Sequence, residues 1–211
     1  KKYFMNNSNE ITVGYWSTKG LGSVCRMVVL YSGNSLKTKN YKLKPIVTNN
    51  IINYDGSEWH DYYKIDLKKR NSLINLPYIE LYDSSGNNIL ISQSNACLSF
   101  LGRKFDMFGV NEIEESYCEQ LLFETNDLRN VITNFAYTHY KNKDLENKAA
   151  KEVFEKVFQS NNSGKIQKFE NWLSLIKNKE NYFLVNDNIT IPDFNLFDIL
   201  DFYIEFLKHY N

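Results

Sequence analysis

The segment with the clearest capacity for chemistry is Gln93-Ser94, which comes directly before a helical pattern. Apolar side chains recur at helical spacing in the residues that follow, which predicts a helix over 96–104. A helix N-terminus presents unpaired backbone N–H groups and a partial positive charge, and here an amide and a hydroxyl add side-chain donors. The segment therefore predicts a site for a carboxylate or a phosphate, with an ordinary helix cap as the alternative.

The histidines and cysteines give no sign of a second site. The three histidines lack the spacing of metal ligands, and the three cysteines are far apart without a CxxC pair. We therefore expect no metal and no disulfide framework, and each cysteine is expected to be a thiol in or near the core in a reducing compartment. These residues are His60, His139 and His209, and Cys25, Cys97 and Cys118.

Charge and hydropathy exclude several partners. Lys plus Arg and Asp plus Glu both number 25, so the net charge of zero gives no reason to expect nucleic acid or an anionic membrane surface. No apolar run has the length of a membrane span, and the first ten residues lack the apolar core of a signal peptide. We expect a soluble cytoplasmic protein, with mitochondrial import left open because the chain begins at Lys1.

A hairpin is predicted to position Gln93-Ser94. Leu76-Pro77 opens a strand over 78–82, since proline is tolerated in a sheet only where no ladder donor is needed, and a cis bond would suit this position. The turn-forming residues 83–88 then reverse the chain into an apolar partner strand over 89–91.

The elements before this hairpin complete an α/β domain. Residues 11–16 are typical of a strand, 21–31 of a helix ended by Gly33, and 36–43 of a second strand, parallel to the first through a right-handed crossover. Residues 44–75 are rich in Asn and Lys and are expected to form a loop. This order predicts a four-stranded mixed sheet with helices against it, a thioredoxin-like domain over residues 1–104.

The rest of the chain is predicted to be an all-helical domain over residues 112–211. Thr190 and Asp193 resemble a capping box, with a proline inside the first helical turn. Asp198 falls inside an apolar helical pattern and needs a partner, which we expect to be the cap of a neighbouring helix. The predicted helices are 112–140, 145–158, 166–176 and 190–210.

Several short motifs in this order resemble the mu class of glutathione transferases. Any one of them is weak evidence, but together with the predicted strands and helices they form a strong signal over almost the whole chain. The motifs are GYWSTKGL at 14–21, SEW at 57–59, NLPY at 75–78, QSNA at 93–96, GRK at 102–104, Asp127 and Tyr137 in the long helix, and NITIPDFNLFDILD at 188–201.

The resemblance implies a thioredoxin-like α/β domain followed by an all-α domain, and detoxification chemistry. Glutathione would be the co-substrate, its thiolate would be conjugated to a hydrophobic electrophile, and the active form would be a homodimer. The alternative is a catalytically weak or inactive protein of the same fold that serves as a binding or structural subunit of a larger assembly.

The resemblance also assigns a catalytic residue, Tyr15. In the family the corresponding tyrosine donates a hydrogen bond to the glutathione sulfur. Such a donor favours the thiolate and lowers the thiol pKa. The alternative for Tyr15 is an aromatic packed in the core, which is the commoner role of tyrosine at the end of a strand.

The remaining site residues follow from the same resemblance. Trp16 and Trp59 would contact the glycyl end of glutathione, and Lys64 is the nearest lysine for its carboxylate. The γ-glutamyl and cysteinyl parts and the electrophile would be held by a second group of residues. That group comprises Leu21 lining the cleft, Asn75, Leu76 and Pro77 along the cysteinyl backbone, Gln93 and Ser94 at the γ-glutamyl carboxylate, Asp127 reaching the amine across the dimer, and Tyr137 facing the electrophile.

The chain departs from the mu pattern in three places. Gly56 stands where the family has an arginine, and the lysine expected after Trp59 is displaced. The loss of one charge-assisted bond predicts glutathione binding weaker by about 1.5–3 kcal/mol. The chain also ends after the helix that starts near Thr190, so we expect either a fragment or an open electrophile pocket.

Overall fold

The computed structural model describes residues 10–48, 51–141, 146–159, 164–176 and 183–210. The chain divides into two compact units. One contains the residues up to Ile46 together with Tyr54–Phe105, and the other contains Val47–Asn53 and the residues from Asp106 onward. Among the described residues, no helix has both the length and the apolar character needed to cross a membrane.

Among the described residues, strands and helices are interspersed as far as Ser92, and only helices follow. The strands are β1 Ile11–Trp16, β2 Leu36–Tyr41, β3 Lys44–Thr48, β4 Ile51–Asp55, β5 Tyr78–Tyr82 and β6 Asn88–Ser92. The helices are α1 Gly22–Tyr31, α2 Lys64–Leu67, α3 Ser94–Lys104, α4 Glu112–Lys141, α5 Glu146–Val157, α6 Lys165–Ile176 and α7 Ile191–Tyr210.

The first unit is built on a mixed sheet with strand order β2-β1-β5-β6. β1 and β2 are parallel, whereas β5 is antiparallel to both β1 and β6. β1 is buried on both faces from Ile11 to Tyr15, α1 packs against this strand, and α1 also packs against α3. The predicted four-stranded mixed sheet is confirmed, and so is the helix predicted over 96–104, which begins two residues earlier at Ser94.

The prediction of a loop over residues 44–75 is wrong. This segment contains the hairpin β3–β4, a π-helical turn over Glu58–Tyr63 and the short helix α2. Short pairs of β-branched residues, which are typical of strands, lie on either side of Asn49-Asn50. The abundance of Asn and Lys around these pairs led to the prediction of a loop.

An aromatic cluster lies on the sheet face opposite α1. Trp59 packs between Tyr41 and Tyr78, with ring centroids 4.9 and 6.1 Å away. The hydroxyls of Tyr41 and Tyr78 are 2.7 Å apart and buried. Burial raises the pKa of both tyrosines above the ordinary value, so the hydroxyl pair stays protonated at neutral pH. This cluster holds the π-helical turn against the sheet.

The second unit joins α4 and α7 through a buried ion pair. A guanidinium nitrogen of Arg129 donates to the Asp198 carboxylate at 2.7 Å, and both side chains are buried. Asp198 was predicted to bind a helix cap, and that prediction is wrong because its partner is a side chain within α4. The predicted capping box is confirmed, since the backbone N–H and the hydroxyl of Thr190 donate to Asp193.

Candidate functional site

One edge of the four-stranded sheet collects the predicted site residues of the first unit. Gly14 of β1, Tyr78 of β5 and Ser92 of β6 lie in register across the sheet. Because β1 and β6 run toward this edge and β5 runs away from it, the ends of β1 and β6 meet the segment before β5. Tyr15 and Trp16, Leu76 and Pro77, and Gln93 and Ser94 therefore lie along the same edge, with neighbouring strands about 4.8 Å apart.

Tyr15 is held by the turn that leads into α1. A Cβ atom at Gly20 would lie 2.7 Å from the Tyr15 hydroxyl oxygen, and one at Gly22 would lie 2.6 Å from its Cβ. Only glycines let this turn run so close along the tyrosine side chain, and Gly20 has a φ of +34°. The Tyr15 side chain is buried, and its hydroxyl lies beside this turn.

Arg26 of α1 fixes the loop between Trp16 and the helix. Its Nη2 donates to the carbonyl oxygens of Thr18 and Lys19, at 2.9 and 3.0 Å. These bonds satisfy backbone acceptors that a loop would otherwise leave to water. Leu21, predicted to line the cleft, is the residue directly before α1 and is partly buried.

Ser92 clamps the segment that precedes β5. The backbone N–H of Asn75 donates to the Ser92 hydroxyl at 2.8 Å, and that hydroxyl donates to the Asn75 carbonyl at 2.9 Å. Ser92 is buried, so these bonds are shielded from water. They fix the backbone of Asn75, Leu76 and the cis bond to Pro77 at the site edge.

Gln93 has an unusual backbone conformation at the start of α3. Its φ is 77° and its ψ is 124°, a region that residues other than glycine seldom adopt. Such a conformation costs on the order of 1–3 kcal/mol and is found most often at functional sites. No described side chain caps α3, so the first backbone N–H groups of the helix, with Ser94 at its first position, suit an anion.

Trp59 does not offer a surface to a ligand in this structure. Its side chain has 0% exposure, and its Nε1 has no hydrogen-bond partner among the described residues. The predicted direct contact with the glycyl end of glutathione is therefore incompatible with this conformation. The physical reason is the π-helical turn, which directs Trp59 into the aromatic cluster with Tyr41 and Tyr78. Lys64, the other predicted residue of this region, is the first residue of α2 and is partly exposed.

The two predicted site residues of the second unit both lie on α4. Asp127 is 63% exposed, and its carboxylate is 3.9 Å from the Lys165 ammonium group, a weak surface pair. Tyr137 is 64% exposed. Across the described parts of the chain, no three His, Cys, Asp or Glu side chains are grouped to hold a metal ion.

Comparisons with known proteins agree with this architecture. A family profile described as "Glutathione S-transferase, C-terminal domain" matches residues 126–210. Glutathione S-transferase Mu 4 of Rattus norvegicus is 30% identical over 93% of this chain and 77% of its own length. Glutathione S-transferase Mu 4 of Homo sapiens is 30% identical over 91% of this chain and 75% of its own length. The chain belongs to the glutathione S-transferase family.

Solved structures support the same fold at lower sequence identity. The Fasciola hepatica sigma class GST has a TM-score of 0.69 at 18% identity, covering 96% of this chain and 83% of its own. A major nematode-specific GST of C. elegans has a TM-score of 0.60 at 17% identity, covering 95% and 82%. The glutathione S-transferase fold, a thioredoxin-like domain followed by a helical domain, is thus confirmed for this chain.

Two site-building residues of this glutathione S-transferase were not found from the sequence. Arg26 and Ser92 make their hydrogen bonds to backbone atoms of other segments, so only the folded structure brings the partners together. Ser92 was visible only as one of several polar residues before α3, and Arg26 only as a cation within an apolar helix.

Proposed function

We propose that this glutathione S-transferase conjugates the glutathione thiolate to hydrophobic electrophiles in a detoxification reaction. The observation that carries the proposal is the sheet edge, where Tyr15 lies two strands away from the uncapped N-terminus of α3. Mu-class relatives at 30% identity carry the name of this activity.

The strand order suits an extended tripeptide. Three residues span about 10 Å, close to the distance from β6 to β1 across two strand spacings. The backbone N–H groups of Ser94 and the next residues would bind the γ-glutamyl carboxylate, with Gln93 donating from its amide. The cysteinyl backbone would pair with Leu76 beside Pro77, and its sulfur would then face β1, where the Tyr15 hydroxyl donates to the thiolate.

The hydrogen bond from Tyr15 is what makes the thiolate available near neutral pH. A donor to the charged form of a thiol lowers its pKa, and only the thiolate attacks an electrophile. Tyr137, exposed on α4, would contact the electrophile through its ring. The three buried free thiols of the chain suit a reducing compartment, and we infer that the protein acts in the cytoplasm.

The decisive experiment is the titration of bound glutathione. The wild-type protein should be retained on immobilised glutathione and released by the free tripeptide. Tyr15→Phe removes one hydrogen bond to a charged group, worth about 1.5–3 kcal/mol. At about 1.36 kcal/mol per pH unit, the pKa of the bound thiol should rise by about one to two pH units, while binding changes little. Thiolate absorbance against pH measures this rise.

Two outcomes of the titration would contradict the proposal. An unchanged titration together with lost folding would mean that Tyr15 only packs in the core. An unchanged titration in a folded variant would favour a catalytically weak binding or structural subunit. That second candidate has support from Gly56 and from the burial of Trp59, because both remove a predicted contact with glutathione.

We further propose that the active form is a homodimer with two shared sites, in which Asp127 binds the γ-glutamyl amine of the glutathione held by the partner subunit. Support comes from the exposure of Asp127 and from its weak pairing with Lys165. In a two-fold dimer each contact occurs twice. Mixing Asp127→Ala subunits with Tyr15→Phe subunits should therefore give one site with both changes and one with neither. A heterodimer no more active than either parent would contradict the shared site.

A further inference from the structure

His60 and Trp16 pack together at the end of β1. Their ring centroids are 5.9 Å apart with the planes inclined at 54°. Gly56 lies against both rings, since a Cβ atom there would be 2.9 Å from Cη2 of Trp16 and 3.2 Å from Cδ2 of His60. Any side chain at position 56 would force one of the two rings to move. The glycine that was predicted to weaken the site therefore makes room for this pair.

The π-helical turn directs His60 outward. Trp59 enters the aromatic core, and the adjacent His60 is exposed to solvent. A packed indole on one side and the turn on the other hold the imidazole at the sheet edge. His60 is thus an exposed, oriented hydrogen-bond donor next to the last residue of β1.

The position of His60 matches one end of the proposed substrate. This match rests on the proposed function, in which the γ-glutamyl carboxylate of glutathione lies at the N-terminus of α3. The tripeptide crosses two strand spacings, about 10 Å, so its third residue reaches the end of β1. The carboxylate of that residue therefore arrives beside Trp16, where Trp59 is buried too deeply to meet it.

We propose that His60 determines specificity for the glycyl carboxylate of glutathione, with a ring N–H donating to a carboxylate oxygen above Trp16. Glu58, Asp61 and Lys64 are the charged residues nearest to His60 in the sequence, and of these only Lys64 could compete for the carboxylate. The carboxylate of Glu58 accepts the backbone N–H of Lys42 at 2.9 Å. Asp61 follows His60 on the turn and would repel the ligand, and Lys64 begins the next element.

The test compares two ligands that differ only at the glycyl end. S-methylglutathione carries the glycyl carboxylate, whereas its glycinamide analogue carries a neutral amide at that position. Neither ligand has a thiol that titrates. Calorimetry would measure both affinities for the wild-type protein, for His60→Phe and for Lys64→Met. His60→Phe keeps an aromatic ring over Gly56 and loses both ring nitrogens. Lys64→Met removes the cation that the resemblance assigns to the same carboxylate.

The expected result is a loss that depends on the carboxylate. His60→Phe should weaken the binding of S-methylglutathione by about three- to tenfold, less than the loss of a buried charge-assisted bond, because the imidazole is exposed. It should leave the affinity for the amide analogue within about twofold. Lys64→Met should cause a smaller carboxylate-dependent loss than His60→Phe.

Three outcomes would overturn the inference. Equal weakening of both ligands by His60→Phe would mean that the ring only supports Trp16. No change for either ligand would also exclude the role, as would a carboxylate-dependent loss with Lys64→Met that is larger than the loss with His60→Phe. A wild-type protein that binds neither ligand would refute the proposed function itself, which separates that failure from one confined to His60.

Discussion

Ser92→Ala should weaken the attachment of the segment before β5 to β6 without disturbing the backbone hydrogen bonds between the strands. The hydroxyl of Ser92 makes two hydrogen bonds, one from the Asn75 N–H and one to the Asn75 carbonyl, and it is the side chain that ties this segment to β6. Alanine fills the same strand position with one atom fewer. The substitution therefore tests the clamp itself.

The structure sets the size of the effect. Each net hydrogen bond contributes about 0.5–1.5 kcal/mol, so losing both should lower the free energy of unfolding by about 1–3 kcal/mol. Water does not weaken these two hydrogen bonds, because Ser92 is buried. The backbone of Leu76 should also become less well positioned, so the affinity for S-methylglutathione should fall severalfold. Urea unfolding followed by fluorescence and calorimetry of the ligand measure the two effects.

A matched control separates the clamp from a general effect of removing a serine hydroxyl. Ser174 donates to the carbonyl of Glu170 within α6 and is exposed. Ser174→Ala should change stability by no more than about 0.5 kcal/mol and leave ligand affinity unchanged. If Ser92→Ala behaves like this control in both measurements, the clamp does not stabilise the site edge.

Three further predictions concern charges and thiols elsewhere in the fold. Arg129→Met leaves the Asp198 carboxylate buried without its guanidinium, so urea unfolding should show a loss of about 3–5 kcal/mol; a loss below about 1 kcal/mol would contradict this. Burial raises the pKa of Glu80, but hydrogen bonds led by that from Arg70 outweigh it and leave the pKa below its usual value. Stability from this pair is therefore present above the pKa of an unfolded glutamate and is lost as the pH falls through the lower folded value. Arg70→Gln should reduce stability by about 0.5–1 kcal/mol more at pH 7 than at low pH, a small difference because Arg70 is partly exposed. A loss that remains at low pH comes from the bond that Arg70 donates to Asn88, which does not titrate. Lys69→Gln, at an exposed pair, is the control, and a loss independent of pH would refute the assignment. All three thiols are buried, so a disulfide reagent such as DTNB should modify them no faster than the protein unfolds, and rapid reaction of the folded protein would show that a thiol is accessible.

The sequence was sufficient for the elements that have strong periodicity or turn chemistry. The strand over 78–82, the turn after it and the helix over 96–104 all followed from local patterns, and so did the capping box before α7. These elements could be predicted because the residues that specify each one lie within it. The common sheet edge then follows from strand order and direction alone.

The predictions that failed concern features that depend on contacts between distant segments. The hairpin β3–β4 carries only short apolar pairs, and the partner of Asp198 lies 69 residues away along the chain. No periodicity identifies which of several cations will meet a buried carboxylate. The burial of Trp59 was equally hard to predict from the sequence. His60, its neighbour, is exposed, and the π-helical turn determines which of the two side chains enters the core.

In the proposed site, His60 takes the contact with the glycyl carboxylate that the resemblance gives to Trp59. A wider π-helical turn rotates successive side chains differently from an α-helix, so one added residue per turn moves a tryptophan inward and brings its neighbour to the surface. Glycine at position 56 permits the result, since the His60 ring can then lie against Trp16. An arginine restored at position 56 would collide with Trp16, so Gly56→Arg should weaken binding of S-methylglutathione even though it adds a cation. Tighter binding by that variant, measured by calorimetry, would mean that the Trp16–His60 pair does not hold the glycyl end.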